Sequence, residues 1–252
     1  MKKTYITLTI FLLFSFLFLQ CQNSDDNGSD NDLDQILVFT KTAGYRHQSI
    51  EKGVSTLRNL GNNNDFVITH SEDSSIFSPN RLSEFDLVIF LSTTQDILND
   101  QQQEAFENYI NSGGSFMGIH AATDTEYDWP WYGRLVGAYF ESHPNNPNVR
   151  MATLEVVNSN HPSTSHLNSS WERSDEWYNF RSINPEIQVL INLDEDSYQG
   201  GTNGDFHPIA WFHEYDGGRV FYTGGGHTNN SFDEPDFQQH LLGGIEYCLN
   251  RN

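Results

Sequence analysis

Gly113-Gly114-Ser115-Phe116-Met117-Gly118-Ile119-His120-Ala121-Ala122-Thr123-Asp124 reads as a short apolar strand entered through a glycine pair and left at a tight turn of small residues. In α/β folds a residue at such an elbow is held over the carboxyl edge of the sheet, where ligands bind. Nucleophile elbows place Ser or Cys there. This chain places His120 there, with no serine or cysteine beside it. The pattern marks a functional site at an exposed elbow and argues against simple nucleophilic acyl transfer.

The flanking sequence sets the architecture. Residues 36–40 form a strand of fully buried type, followed by a loop to His47 and a helix over 48–60. Strands over 66–70 and 85–91 come next. Asp100 and Gln103 read as a capping box for a helix that carries Ala105, Phe106, Tyr109 and Ile110 on one face and stops at Ser112-Gly113-Gly114. Beyond the elbow, strands are expected over 151–157, 187–193, 209–214 and 219–223, with a closing helix over 236–249. Alternating βα units of this length predict an α/β fold, a doubly wound, mostly parallel sheet with helices on both faces, in a single domain over 35–252.

The first residues stand apart. Lys2 and Lys3 precede an apolar run over 6–19, short of the roughly 20 residues that span a bilayer. Residues 1–20 therefore read as a signal peptide. Phe18-Leu19-Gln20-Cys21 resembles a relaxed bacterial lipoprotein box, with Gln20 where a small residue is usual, and implies a lipidated Cys21. The alternative is an ordinary secreted protein with an incidental cysteine. Residues 21–34, acidic and almost without apolar side chains, read as a disordered tether. Such tethers resemble surface-export signals of Bacteroidetes-type bacteria, which implies an outer-membrane lipoprotein of the cell envelope, surface-exposed or periplasmic. The lipid is then the only membrane contact.

With 13 Lys and Arg against 34 Asp and Glu, the net charge is −21. A nucleic-acid partner is excluded on that count, because phosphate binding needs clustered cations. Once Cys21 is acylated, Cys248 is the only thiol left and no intrachain disulfide can form. Cys248 falls on the apolar stripe of the closing helix, where a thiol behaves as a small hydrophobe.

Gly224-Gly225-Gly226-His227 follows the strand over 219–223 and delivers His227 to the same sheet edge as His120. Tyr45, Arg46 and His47 leave the first strand at that edge, where they either bind a polar substrate or cap and pair locally. Glu141 and His143 are two apart; in a strand they share a face, as ligands or as an acid/base pair. Glu172, Asp175 and Glu176 lie among Trp171, Trp177 and Tyr178. Ring faces with carboxylates suit sugar binding, and equally a core edge with a solvated rim. Asn160-His161-Pro162 and His166 read at least as well as turn residues. No HExxH or paired HxH motif is present, so a divalent metal would be assembled from distant residues such as His120, His143 and His227.

Residues 40–50, the elbow at 113–124, Asn160-His161-Pro162, Asp175-Glu176-Trp177-Tyr178 and the stretch over 218–227 together resemble the ThuA-like (trehalose utilisation) family. That family belongs to the class I glutamine amidotransferase-like superfamily with a flavodoxin-like fold. The resemblance runs from about residue 36 to the end. It implies a role in the metabolism of trehalose-like disaccharides, including 3-keto sugars. Against the amidotransferases, His120 stands at the nucleophilic cysteine, His227 at the triad histidine, and Asn229 replaces the acid two residues on. Glutaminase chemistry is thereby set aside.

Two readings follow. The first is an enzyme acting on a small-molecule glycoside or 3-keto sugar. In it His120 and His227 serve as acid/base pair or metal ligands, assisted by Glu176 or Asp124, while Tyr45, Arg46, His47, Glu141, His143, Asp175 and Trp177 bind substrate. The second is a carbohydrate-binding lipoprotein that keeps the pocket without turnover.

Overall fold

Apolar runs with no polar face generate the centre of the sheet: all five residues of Leu87–Leu91 are buried, so that strand must be covered on both sides. The computed structural model describes Met1 and residues 33–251. The segment after Met1 expected to be a signal peptide, Cys21 and the expected tether up to residue 32 lie outside the described residues. Asp34, expected at the tether's end, already opens a strand.

In chain order the elements are β1 (Asp34–Phe39), α1 (Ile50–Asn63), β2 (Phe66–Ser71), α2 (Pro79–Leu82), β3 (Leu87–Leu91), α3 (Asp100–Asn111), β4 (Ser115–Ile119) and α4 (Pro130–Val136). There follow β5 (Tyr139–Ser142), β6 (Val149–Val156), β7 (Ser170–Glu176), β8 (Asn179–Arg181), β9 (Gln188–Leu193), β10 (Pro208–Tyr215), β11 (Gly218–Thr223) and α5 (Pro235–Cys248). The main sheet runs β2-β1-β3-β4-β11-β10-β9-β6-β7, and β5 pairs with β8 in a separate ribbon.

The sheet is parallel from β2 to β11 and antiparallel from there to β7. Four successive reversals return β7 to the direction of β11. The carboxyl end of this distant strand therefore opens on the same edge as those of β1, β4 and β11. One face of the sheet carries α1 and α5, which touch each other; α2 and α3 pack together on the opposite face. Between that second layer and the sheet lies an aromatic core in which Phe90 stacks on Phe106 at 5.5 Å and on Tyr132 at 5.8 Å. Burying a phenylalanine of this kind contributes roughly 1.5–3 kcal/mol.

Helix α3 begins one residue earlier than expected. Asn99, not Asp100, is the N-cap: its side chain accepts from the Gln102 N–H while the Gln102 side chain accepts from the Asn99 N–H. Gln103, the expected partner, instead donates to the buried carboxylate of Glu126 at 2.7 Å. The helix stops at Gly113, whose φ of +98° favours a residue without Cβ. Also unforeseen were α4, the β5–β8 ribbon and the continuation of the sheet through β7.

Candidate functional site

Three βα exits converge. His47 follows β1, His120 follows β4 and His227 follows β11; Glu176 ends β7. His120 has φ +52°, in the left-handed region that a non-glycine residue rarely adopts, and the turn after it is a single 3-10 turn over His120–Thr123. The tight elbow read from the sequence exists, and the positive φ of His120 adds strain to it. It is not exposed: His120 is fully buried, because the β5–β8 ribbon and the end of β7 close over it, with the Tyr178 ring 4.5 Å away.

The His120 ring is fixed at both ends. Its Nδ1 lies 2.9 Å from the Gly224 carbonyl, which can only accept, so Nδ1 carries a proton and Nε2 is turned toward the cluster. That Nε2 faces Nδ1 of His227 at 3.3 Å and Oε2 of Glu176 at 3.4 Å. Nδ1 of His227 is 3.0 Å from the same carboxylate oxygen. On the other oxygen of Glu176, Asn148 donates at 2.7 Å, and the same amide contacts Nε2 of His227 at 3.2 Å. Burial pushes the Glu176 carboxyl up, but the hydrogen bonds from His120 and His227 outweigh it and hold the group well below the usual carboxylate range.

His47 completes the cluster. Its ring stands edge-on to those of His120 and His227, with centroids at 4.7 and 5.1 Å. Burial, reinforced by the neighbouring imidazoles, pushes its pKa down to about 2. Its buried Nδ1 has no hydrogen-bond partner among the described residues.

Asp175 lies under the site. It is fully buried and accepts from the backbone N–H groups of Gly226 and His227 at 2.8 and 3.0 Å, from the Ser231 hydroxyl at 2.9 Å, and from Arg173 at 3.1 Å. Successive N–H groups on one carboxylate make an anion-binding nest used in reverse, with the protein supplying the anion. Gly226 reaches this position at φ +119°, and Ser49 ties its carbonyl to the start of α1 at 2.8 Å.

The other expected residues divide. His143 is part of the site, with Nδ1 3.5 Å from Glu176, but that nitrogen also bonds the Pro144 carbonyl at 2.8 Å. It belongs to the rim; His47 takes the place expected of it among the clustered histidines. Asp124 lies in the cavity wall, held by Tyr127 at 2.5 Å and Gln95 at 3.1 Å; burial raises its pKa in spite of the Tyr127 hydrogen bond. Tyr45 is 62% exposed at the mouth. Arg46 turns away to pair with Glu51 and Glu72. Glu141 is exposed, and His143 falls just beyond β5, so the two do not share a strand face. Trp177 is fully buried and donates to the Arg150 carbonyl, so its ring cannot stack on a sugar; the aromatic walls are Tyr45, Phe140 and Tyr178.

A cavity of about 260 Å³ lies over the cluster, lined by Tyr45, Asp124, His143, Glu176, Tyr178 and His227 among others. A second of about 380 Å³ adjoins it and shares Tyr45, Asn148 and His227. Asn148 gave no signal in sequence; it lies in the loop ahead of β6, and only folding sets it against Glu176. Cys248 is buried, and burial pushes its thiol far up.

The family model for ThuA, trehalose utilisation, matches residues 35–248. Among solved structures, a ThuA-like protein from Bacteroides uniformis ATCC 8492 is 23% identical at a TM-score of 0.74, covering 87% of this chain and 92% of its own. Another ThuA-like protein, from Parabacteroides merdae ATCC 43184, is 20% identical at a TM-score of 0.69, covering 86% and 90%. The fold extends to a β-galactosidase from Bacillus circulans sp. alkalophilus, 13% identical at a TM-score of 0.55, where 85% of this chain matches 31% of that one. No curated protein matches the chain.

Proposed function

This chain belongs to the ThuA family of trehalose-utilisation proteins, and from that premise we propose that it is a cell-envelope enzyme acting on a glycoside or 3-keto sugar of the trehalose-like disaccharide class. Membership in the family supports a carbohydrate-related role. The observation that carries the finer reading is the convergence of His120, His227 and Glu176 within 3.0–3.4 Å of one another at the floor of a polar cavity. Two adjoining cavities that meet at His227 give each ring of a disaccharide a place.

The chemistry follows from which groups face the cavity. Cleaving a 3-keto glycoside by elimination removes the proton next to the ketone. The electron pair then expels the glycosidic oxygen, and that oxygen takes up a proton. His143 is the base: Nδ1 is engaged by Pro144, which leaves Nε2 to accept a proton. Asp124, which lines the same cavity as His143 and whose pKa burial raises, is the acid. His120 has both nitrogens turned inward and cannot reach a substrate; with His227 and Glu176 it forms the floor against which the ketone sits.

The test is turnover of trehalose and 3-keto-trehalose by the purified full chain, followed by chromatography. Cleavage of the keto sugar is expected, falling about 10²-fold or more in His143→Ala with folding intact. Sugar binding without turnover in the wild type would instead establish a carbohydrate-binding module. For the location we propose a lipoprotein anchored through Cys21. Among the described residues no helix is long and apolar enough to cross a membrane.

A further inference from the structure

The geometry points to a divalent transition-metal site formed by His47, His120, Glu176 and His227. Each offers one ligand atom, and these atoms lie within 4.8 Å of one another. The separations fit an ion between them. A tetrahedral zinc with bonds of about 2.0–2.1 Å sets donor–donor edges of about 3.3 Å. His120 Nε2, His227 Nδ1 and Glu176 Oε2 are separated by 3.3, 3.4 and 3.0 Å. Three imidazole nitrogens and one carboxylate oxygen match the preference of zinc and its first-row neighbours.

The surroundings are those of a metal site. His120 donates its other nitrogen to the Gly224 carbonyl, which orients the ring and leaves Nε2 free for an ion. His47 is 4% exposed, and its Nδ1 meets no partner among the described residues, as is also true of one ring nitrogen each of His161 and His213; His47 alone of the three stands in the cluster. His227 must give up a proton at Nδ1. The site borders the cavity through His47, Glu176 and His227, so an ion there can polarise a ketone oxygen of the sugar. That last clause alone rests on the function proposed above.

The experiment is a zinc titration of the chelator-stripped full chain against a chromogenic competitor, with the melting temperature read in parallel. One zinc per chain is expected, with a raised melting temperature. His227→Ala and Glu176→Gln should each weaken binding by about 100-fold or more, while His143→Ala leaves it within a few-fold. Circular dichroism of each stripped variant confirms that it is folded. Absence of stoichiometric zinc in the folded wild type, or equal loss in His143→Ala, overturns the site. Turnover of the keto sugar that survives complete metal removal overturns the ion's part in the reaction but not the function. Tight zinc with no turnover of any glycoside keeps the site and sinks the function.

Discussion

Adjacent carboxylates at the end of β7 have opposite duties. Asp175 is fully buried against Arg173, itself 3% exposed, and holds the loop that carries His227. Removing Asp175 leaves Arg173 its second partner, Glu234 at 2.9 Å, but strips the Gly226 and His227 N–H groups of their acceptor, at a cost of about 1–3 kcal/mol for each unsatisfied group. Asp175→Ala should therefore lower stability by that order and displace His227. Glu176→Gln keeps shape and most hydrogen bonds, so it should unfold close to wild type and lose turnover. Denaturant titration paired with the keto-sugar assay separates them; a stable, active Asp175→Ala would remove Asp175 from its positioning role. Sequence showed both as acids among aromatics, but their roles depend on which side of the strand each faces at its last residues.

Among the elements, α3 gives a discriminating case. The cap lies at Asn99 because its side chain and that of Gln102 satisfy each other's backbone N–H groups. Asn99→Ala should cost about 0.5–2 kcal/mol. Asp100→Ala, which loses only a favourable charge in the first turn, should cost about 0.5 kcal/mol or less. Equal effects in urea unfolding would contradict the assignment. The sequence fits both placements, since Asn99 and Asp100 each have a glutamine three residues on; the choice is made by Glu126, which recruits Gln103 from another loop.

At the scale of the molecule, buried histidines set the response to acid. His240 donates to the Ser163 carbonyl and contacts the Thr223 hydroxyl, a set satisfied by the neutral ring. Burial lowers its pKa to about 3, and that of His161 to about 4, from 6.5. The unfolded chain thus binds more protons below 6.5. Stability is full above that pH and falls on acidification toward these values, by up to about 1.4 kcal/mol per unit and histidine. Burial raises the pKa values of Asp124 and Glu126, which act in the opposite sense. Denaturant unfolding from pH 7 to 5, in about 0.5 M salt to screen the net charge of −21, should show falling stability. A rise would mean that those carboxyls dominate. For the proposed anchor, Cys21→Ala should appear in the soluble fraction without lipid label, since each acyl CH₂ contributes roughly 0.8 kcal/mol of membrane affinity. Unlabelled mutant in the membrane pellet would refute the anchor.

The sequence by itself determined the parallel core, the glycine turns and the edge on which His120 and His227 lie, because buried strands and left-handed turns demand particular residues locally. It also placed Cys248 on a buried helix face, away from chemistry. Only the tertiary structure decided the rest: that β7, after four reversals, delivers Glu176 to that edge; that His47 joins the cluster while Arg46 leaves it; and that Asn148 sits on Glu176. These contacts join residues distant in the chain, and no local preference records them. The burial of His120 belongs with them, since the covering segments fold over the elbow from 19 to 61 residues downstream.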